Sequence, residues 1–208
     1  MPDADFFMAM GFFTRREFLD SATCARLRAE MEASPDRAAT VLTDEGTYDV
    51  DRSYRSTRLA DVAPETFELV GDRLAAVMPD VSRHYGIPLT GVEKLQFLVY
   101  REGDFFEAHR DRGEDDDAVA GGRRVSAIIF LNREGDPSTS VAYRGGALTL
   151  YGLFEQSEGN TLGFPVEAEE GLLVTFPADV LHEVRPVEAG ERYTIVSWFE
   201  DGDSENQL

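Results

Sequence analysis

Cysteine and lysine are almost missing from this chain of 208 residues, and histidine is rare. Cys24 is the only cysteine, so an internal disulfide and a zinc site built from several cysteines are both excluded. We expect Cys24 to be a small buried filler on a helical stretch. Any imidazole chemistry must come from the three histidines, at positions 84, 109 and 182.

Positive charge is also scarce, since 20 Lys and Arg residues face 40 Asp and Glu residues and give a net charge of −20. Only Lys94 among the basic residues is a lysine, which fits GC-rich coding or a high-salt cytoplasm. A nucleic-acid binder needs a basic face to neutralise phosphates, and an anionic membrane surface disfavours such an acidic chain. We therefore expect neither partner.

Long hydrophobic runs are absent, and the first five residues lack the basic region of a secretory leader. Together with the single cysteine, this predicts a cytoplasmic protein in a reducing compartment. The hydrophobic fraction of 42% is ordinary for a packed core, and the length fits one domain over residues 1–208.

The first 90 residues have a helical pattern with some strand, at Tyr54 to Leu59, that predicts a supporting layer. One helix is expected to begin at Thr14, with Glu17 completing a capping box, and to stop before Pro35. A second helix is expected to open at Pro64 and to stop at Gly86.

Residues 91–200 contain short β-rich runs separated by Gly, Pro and acidic turns. The predicted strands are Lys94–Tyr100, Phe105–His109, Arg123–Leu131, Ala147–Tyr151, Thr161–Phe164, Gly171–Phe176, Val180–Val184 and Arg192–Phe199. This pattern predicts a mainly β fold, a sandwich or barrel, with the N-terminal helices packed on one face.

Two histidines and an aspartate in the β-rich half form a candidate metal site. His109 and Asp111 are two residues apart, so on a strand their side chains point to the same face. His182 follows 73 residues later and can join them only through the fold. Two imidazoles and one carboxylate suit non-haem Fe(II), although His182 alone is better explained as a core histidine.

Arg192 opens an apolar, β-branched strand ten residues after His182. If its guanidinium points into a barrel it needs an anion, because an unpaired buried charge is costly, and it offers a bidentate fork to a carboxylate. The alternative is an exposed arginine at the strand end that pairs with Glu191 or Glu183.

Residues 90–200 resemble the Fe(II)- and 2-oxoglutarate-dependent dioxygenases, most closely the prolyl 4-hydroxylase-like branch. The matching features, in chain order, are Tyr100 nine residues before His109-Arg110-Asp111, the strand ending Leu131-Asn132, the Gly145-Gly146 strand, His182 and Arg192.

The resemblance implies a double-stranded β-helix (jelly-roll) core of eight strands. It implies that His109, Asp111 and His182 bind Fe(II), and that Arg192 binds the distal carboxylate of the co-substrate 2-oxoglutarate. O₂ is the second co-substrate, and ascorbate is a candidate reductant. Related halogenases lack the carboxylate ligand, so Asp111 predicts hydroxylation or another oxidation.

Two further co-substrate contacts follow from the resemblance. Tyr100 matches a tyrosine that often hydrogen-bonds 2-oxoglutarate, and a plain core tyrosine is the alternative. Where some relatives have a second such tyrosine, this chain has Phe130, which cannot donate a hydrogen bond. Thr149 or a water molecule is expected to replace that donor.

A substrate groove or lid is expected from the loops 133–143 and 152–160, because functional variation concentrates in loops. The candidate substrate contacts are Tyr143, Arg144, Tyr151 and Trp198, with core packing as the alternative for Trp198.

Three functions are compatible with these residues. The first is hydroxylation of a prolyl residue in a peptide or protein, and the acidic charge favours a neutral or basic partner. The second is hydroxylation of a free amino acid or another small metabolite. The third is a cupin-like metal-binding protein without oxygenase activity, which has no need of Arg192. A homo-oligomer is plausible, but no sequence feature specifies one.

Overall fold

The computed structural model describes residues 2–35, 37–39, 41–42, 48–49, 51–112, 121–139, 141–153 and 162–201. Within those ranges the helices are α1 (Ala4–Ala9), α2 (Ser21–Ala33) and α3 (Pro64–Tyr85). No helix in the described part of the chain has the length and apolarity needed to cross a membrane.

The helix α2 begins later than the sequence predicts. Asp20 caps it, since its carboxylate accepts a hydrogen bond from the Thr23 amide. Thr14 lies instead on a short strand, buried, with its hydroxyl bonded to the Ala4 carbonyl. The predicted capping box of Thr14 and Glu17 is therefore wrong, because strand pairing and burial determine the local structure there.

The helix α3 begins and ends as predicted. Pro64 stands in its first turn, where the missing amide hydrogen costs nothing. Gly86 ends the helix in the left-handed region at φ 67°, a conformation that favours glycine.

The strands fall into two large sheets and two small ones. In chain order they are β1 (Phe13–Arg15), β2 (Arg37–Ala38), β3 (Val41–Leu42), β4 (Tyr48–Asp49), β5 (Arg58–Leu59), β6 (Leu89–Val92), β7 (Gln96–Tyr100), β8 (Phe106–His109), β9 (Arg123–Phe130), β10 (Arg133–Glu134), β11 (Ala142–Gly145), β12 (Leu148–Tyr151), β13 (Gly163–Pro165), β14 (Leu173–Pro177), β15 (His182–Val184), β16 (Val187–Ala189) and β17 (Arg192–Asp201). The larger sheet runs β1-β14-β9-β17-β7-β5-β2, with β6 also on β17, and the smaller runs β13-β12-β15-β8.

The predicted mainly β architecture with N-terminal helices is confirmed. Each strand predicted in residues 91–200 has a counterpart with ends shifted by a few residues. The sequence pattern missed β6 and the short sheet β10-β11-β16. These strands are only two to four residues long, and glycine stands within β6 and at the end of β11, so their alternation of polar and apolar residues is weak.

The core has two layers, and the alternation along β17 separates them. Tyr193, Ile195 and Phe199 pack outward under the helices α2 and α3. Arg192, Thr194, Val196 and Trp198 alternate with them and therefore point between the two large sheets. A second apolar cluster joins the sheets there, with β9 and β14 contributing from one side and β12 from the other.

Cys24 is fully buried on α2, and burial raises the pKa of its thiol to about 12. Because the thiolate is the reactive form, we expect the native chain at pH 8 to resist an aromatic disulfide reagent. The denatured chain should release one equivalent of chromophore. Rapid labelling of the native protein would contradict the buried position.

Candidate metal centre

The two histidines of the candidate site lie directly opposite each other on neighbouring strands. His182 on β15 is the register partner of His109 on β8, and their ring centroids are 4.2 Å apart. Both side chains are nearly buried. The antiparallel pairing of β8 with β15 thus brings together two histidines that are 73 residues apart in the sequence.

Asp111 completes the group just beyond the end of β8. Its amide and that of Arg112 both donate to the Ala178 carbonyl, which fixes the chain as it leaves the strand. Its Oδ1 lies 3.6 Å from His109 Nε2, and its Oδ2 lies 3.5 Å from His182 Nε2. These distances exceed those of good hydrogen bonds, which leaves room for an ion between the groups.

Backbone carbonyls set the orientation of both imidazoles. His109 Nδ1 lies 2.7 Å from the Glu107 carbonyl, and His182 Nδ1 lies 2.9 Å from the Val180 carbonyl. A carbonyl only accepts, so each Nδ1 carries the hydrogen. Each Nε2 then presents its lone pair toward Asp111, which is the arrangement that metal-binding histidines use.

Charge and burial favour the forms of these residues that bind a cation. Burial lowers the pKa of His182 to about 4, so its ring is neutral at pH 7. Burial alone would raise the pKa of Asp111, but His182, His109 and the Ser126 hydroxyl outweigh it and hold that pKa below its usual range. The donor atoms of the three residues all lie within 4.8 Å of one another, a set that fits Fe(II).

Ser126 fixes the carboxylate from the neighbouring sheet. It stands on β9, and its hydroxyl donates to Asp111 Oδ2 at 2.5 Å. The bond holds the carboxylate so that Oδ1 faces His109 Nε2 while Oδ2 faces His182 Nε2. No spacing rule in the sequence indicates this contact, because β9 approaches Asp111 only in the folded barrel.

We expect Ser126→Ala to weaken the binding of Mn(II), a stand-in for Fe(II), by about 10- to 100-fold, as losses of such supporting hydrogen bonds do. Metal titration under anaerobic conditions measures this affinity. Ser197→Ala is the matched control, since Ser197 is equally buried but bonds the Glu93 carbonyl on the opposite face of β17. Equal affinities in the two variants would contradict the role of Ser126.

A buried cation lies deeper between the sheets. Arg192 is 1% exposed, with the Tyr100 ring 4.9 Å and the Phe130 ring 5.4 Å from the centre of its guanidinium. It donates to Thr194 Oγ1, but its buried Nε has no hydrogen-bond partner among the described residues. The predicted alternative of an exposed strand-end arginine is wrong. A guanidinium with an unused donor, enclosed by two aromatic rings, fits a carboxylate ligand. We call this space between Arg192, Tyr100 and Phe130 the Arg192 slot.

Two of the other predicted residues lie beside these groups. Tyr100 is the register partner of Arg192 across β7 and β17. Trp198 is the register partner of Ser126, and the Arg123 guanidinium lies 3.6 Å from its ring centroid. Both side chains point between the sheets, as a role in the site requires.

Three predicted residues lie elsewhere. Thr149 and Tyr151 alternate with Leu148 and Leu150, which pack between the sheets, so they occupy the outer face of β12. On that outer face the Tyr151 hydroxyl donates a hydrogen bond to Glu183, which follows His182 on β15. The structure therefore does not bring Thr149 to Arg192.

Arg144 is exposed and pairs with Glu188 at 3.0 Å. Tyr143, expected in a substrate groove, is instead 1% exposed and lies with Arg192 against Gly146. Most of the loop 152–160 lies outside the described residues.

Sequence reasoning missed an aromatic and cationic layer behind His109. The Phe106 ring stacks on the His109 ring with centroids 3.6 Å apart, and the Arg55 guanidinium lies 4.6 Å from the Phe106 centroid. Phe106 stands three residues before His109, a spacing that places side chains on opposite faces of a regular strand. The register of β8 against β15 shifts by one residue between these two positions, so the sequence pattern did not indicate the contact. Arg55 carries no sequence signal, because an isolated bridge to Phe106 places it.

Comparison with known proteins gives matches at the level of family and fold. The family model described as the 2OG-Fe(II) oxygenase superfamily matches residues 95–200. A PKHD-type hydroxylase of Shewanella oneidensis is 32% identical over 142 residues, which are 67% of this chain and 55% of that protein. One of Maricaulis maris is 33% identical over 101 residues, 48% of this chain and 38% of that protein. The chain thus spans about half or less of these relatives.

Solved structures agree with the fold. A prolyl-4-hydroxylase of Pseudomonas putida superposes with a TM-score of 0.68 at 24% identity, covering 94% of this chain and 95% of that one. A prolyl hydroxylase of Trichoplax adhaerens, in complex with a hypoxia inducible factor peptide fragment, has a TM-score of 0.67 at 19% identity, covering 98% and 90%. The predicted jelly-roll fold is confirmed.

Proposed function

Because the chain belongs to the 2OG-Fe(II) oxygenase superfamily, we propose that it is an Fe(II)- and 2-oxoglutarate-dependent hydroxylase. Its expected substrate is a prolyl residue in a peptide or protein, with release of succinate and CO₂. One observation carries the proposal: the buried Arg192, without a carboxylate partner among the described residues, lies in the same barrel as the group of His109, Asp111 and His182.

The three ligand residues would hold the metal through His109 Nε2, His182 Nε2 and an Asp111 oxygen. Bound Fe(II), with 2-oxoglutarate and O₂, supplies the oxidising chemistry that cleaves an unactivated C–H bond. Two imidazoles and one carboxylate would occupy three positions on the metal and leave the others to co-substrates. A carboxylate among the ligands supports hydroxylation over halogenation.

Arg192 would bind and orient the co-substrate from the far end. Its guanidinium can take the distal carboxylate in a bidentate pair, and the flanking rings of Tyr100 and Phe130 exclude water from that pair. A cupin-like metal protein without co-substrate has no use for this buried cation, so Arg192 disfavours that function.

Aromatic side chains beside the metal group support a prolyl substrate. Tyr54 is 36% exposed, and its ring centroid lies 5.7 Å from Phe106 and 6.4 Å from His109. Such rings can pack against a pyrrolidine ring. The net charge of −20 favours a peptide with neutral or basic flanks. The superposed prolyl hydroxylase structures point to the same substrate class.

The test offers the chain Fe(II), 2-oxoglutarate, ascorbate and three substrate pools: proline peptides with basic flanks, the same peptides with acidic flanks, and free amino acids. Mass spectrometry records the gain of one oxygen atom, and succinate is quantified in parallel. We expect oxygen gain in basic peptides and none when alanine replaces the proline. Products confined to free amino acids would reject the peptide substrate, and absence of any succinate would reject the reaction class.

A further inference from the structure

The slot around Arg192 has a second polar side chain that sequence reasoning assigned to the substrate groove. Tyr143 stands on β11 and is 1% exposed, so it takes no part in an open groove. Burial raises the pKa of its phenol, and the nearby Arg192 guanidinium partly offsets that rise. Gly146, at φ 65°, lies against both residues, since a Cβ there would come within 3.2 Å of Arg192 Cδ and 3.5 Å of Tyr143 Cε2.

The chemistry of these two groups leaves one donor available. A guanidinium has no acceptor atom, so Arg192 cannot take up the phenol hydrogen of Tyr143. The Glu134 carboxylate lies nearby, but its buried Oε2 has no hydrogen-bond partner among the described residues. The phenol of Tyr143 therefore brings a donor to the guanidinium that a carboxylate would approach.

Phe130 creates the need for such a donor. It is fully buried opposite Thr194, with its ring 5.4 Å from the Arg192 guanidinium, and it offers no polar atom. Thr149 faces away from this slot on the outer side of β12. A buried carboxylate has about four lone-pair sites, and Arg192 alone does not fill them.

We propose that the Tyr143 hydroxyl donates a hydrogen bond to the distal carboxylate of 2-oxoglutarate, alongside the guanidinium of Arg192. This inference rests on the proposed function. Arg192 then supplies the charge and polarises the phenol, while Tyr143 provides the donor that Phe130 lacks. The pair selects a dicarboxylic 2-oxo acid over one that ends in a methyl group.

The test measures ligand binding instead of turnover. 2-Oxoglutarate and 2-oxobutanoate, which lacks the distal carboxylate, are titrated calorimetrically into the Mn(II)-loaded chain under anaerobic conditions. We expect Tyr143→Phe to weaken 2-oxoglutarate by about 10- to 100-fold, the effect of one hydrogen bond to a charged group. Its affinity for 2-oxobutanoate should not change. A folding defect would weaken both ligands, so the two-ligand comparison separates binding from stability.

Two further variants sharpen the result. Phe130→Tyr in the Tyr143→Phe background should recover at least tenfold in 2-oxoglutarate affinity, because it returns a phenol to the slot from the other side. Tyr193→Phe is the matched control, since Tyr193 adjoins Arg192 in sequence but bonds Glu191 on the outer face. It should bind both ligands as the wild type does.

The outcomes are distinct. Wild-type affinity for 2-oxoglutarate in Tyr143→Phe, or equal losses for both ligands, overturns the assignment of Tyr143 and leaves the proposed function standing. A wild-type chain that binds Mn(II) but no 2-oxoglutarate overturns the proposed function, and the assignment of Tyr143 with it.

Discussion

Alanine in place of His109 is expected to abolish iron-dependent conversion of 2-oxoglutarate to succinate. His109 supplies one of the three nitrogen or oxygen donors of the group, and its removal leaves only Asp111 and His182 to hold the metal. Loss of a supporting contact around a metal ligand already costs about 10- to 100-fold, so loss of the ligand itself should cost more than 100-fold. Succinate release and Mn(II) affinity should fall together.

His84→Ala is the control for this experiment. His84 is the one histidine outside the site, on α3, where its Nε2 contacts the Gly11 carbonyl. Its removal should leave metal affinity and turnover unchanged. Robust turnover in His109→Ala, with normal metal content, would show that these residues do not form the metal centre.

The sequence could predict the residues of the metal group because chemistry and strand geometry restrict them. Only three histidines exist, and His109 and Asp111 are two residues apart at the end of one strand. The convergence of His182 with them is confirmed by the pairing of β15 with β8. That pairing is a long-range contact, so the family resemblance, and no local pattern, was needed to predict it.

The donors around the metal and around Arg192 could not be predicted in the same way. Ser126 and Tyr143 come from other strands, and their side chains reach the site only after the sheets have packed. Thr149 shows the opposite case. Its strand was predicted, but a shift of one residue decides which face a side chain occupies, and that register is set by partners across the sheet.

The start of α2 illustrates a local signal that tertiary structure overrides. Thr14 and Glu17 have the spacing of a capping box, yet Phe13 and Thr14 pair with β14 and are buried. Asp20, a few residues on, caps the helix equally well. The capping motif therefore indicated that a helix follows, but strand pairing with β14 determines where that helix begins.

Alanine in place of Arg192 is expected to raise the KM for 2-oxoglutarate more than any other single change outside the metal ligands. Truncating one partner of a buried charge pair costs about 2–5 kcal/mol, which corresponds to roughly 30- to 4,000-fold in affinity. Arg192→Lys should fall between wild type and alanine, because a lysine keeps the charge but loses the planar fork. Initial rates over a range of co-substrate concentrations measure both variants.

Arg192→Met distinguishes co-substrate binding from folding. In the protein without ligand the guanidinium is buried with its Nε unsatisfied, so an apolar side chain of similar length should leave the free energy of unfolding unchanged or raise it. The same variant should lose 2-oxoglutarate binding. Arg83→Ala, at an exposed position on α3, serves as the neutral control. An unchanged KM in Arg192→Met would mean that this buried charge serves the fold alone, whereas lost binding in a fully stable chain would assign Arg192 to the co-substrate.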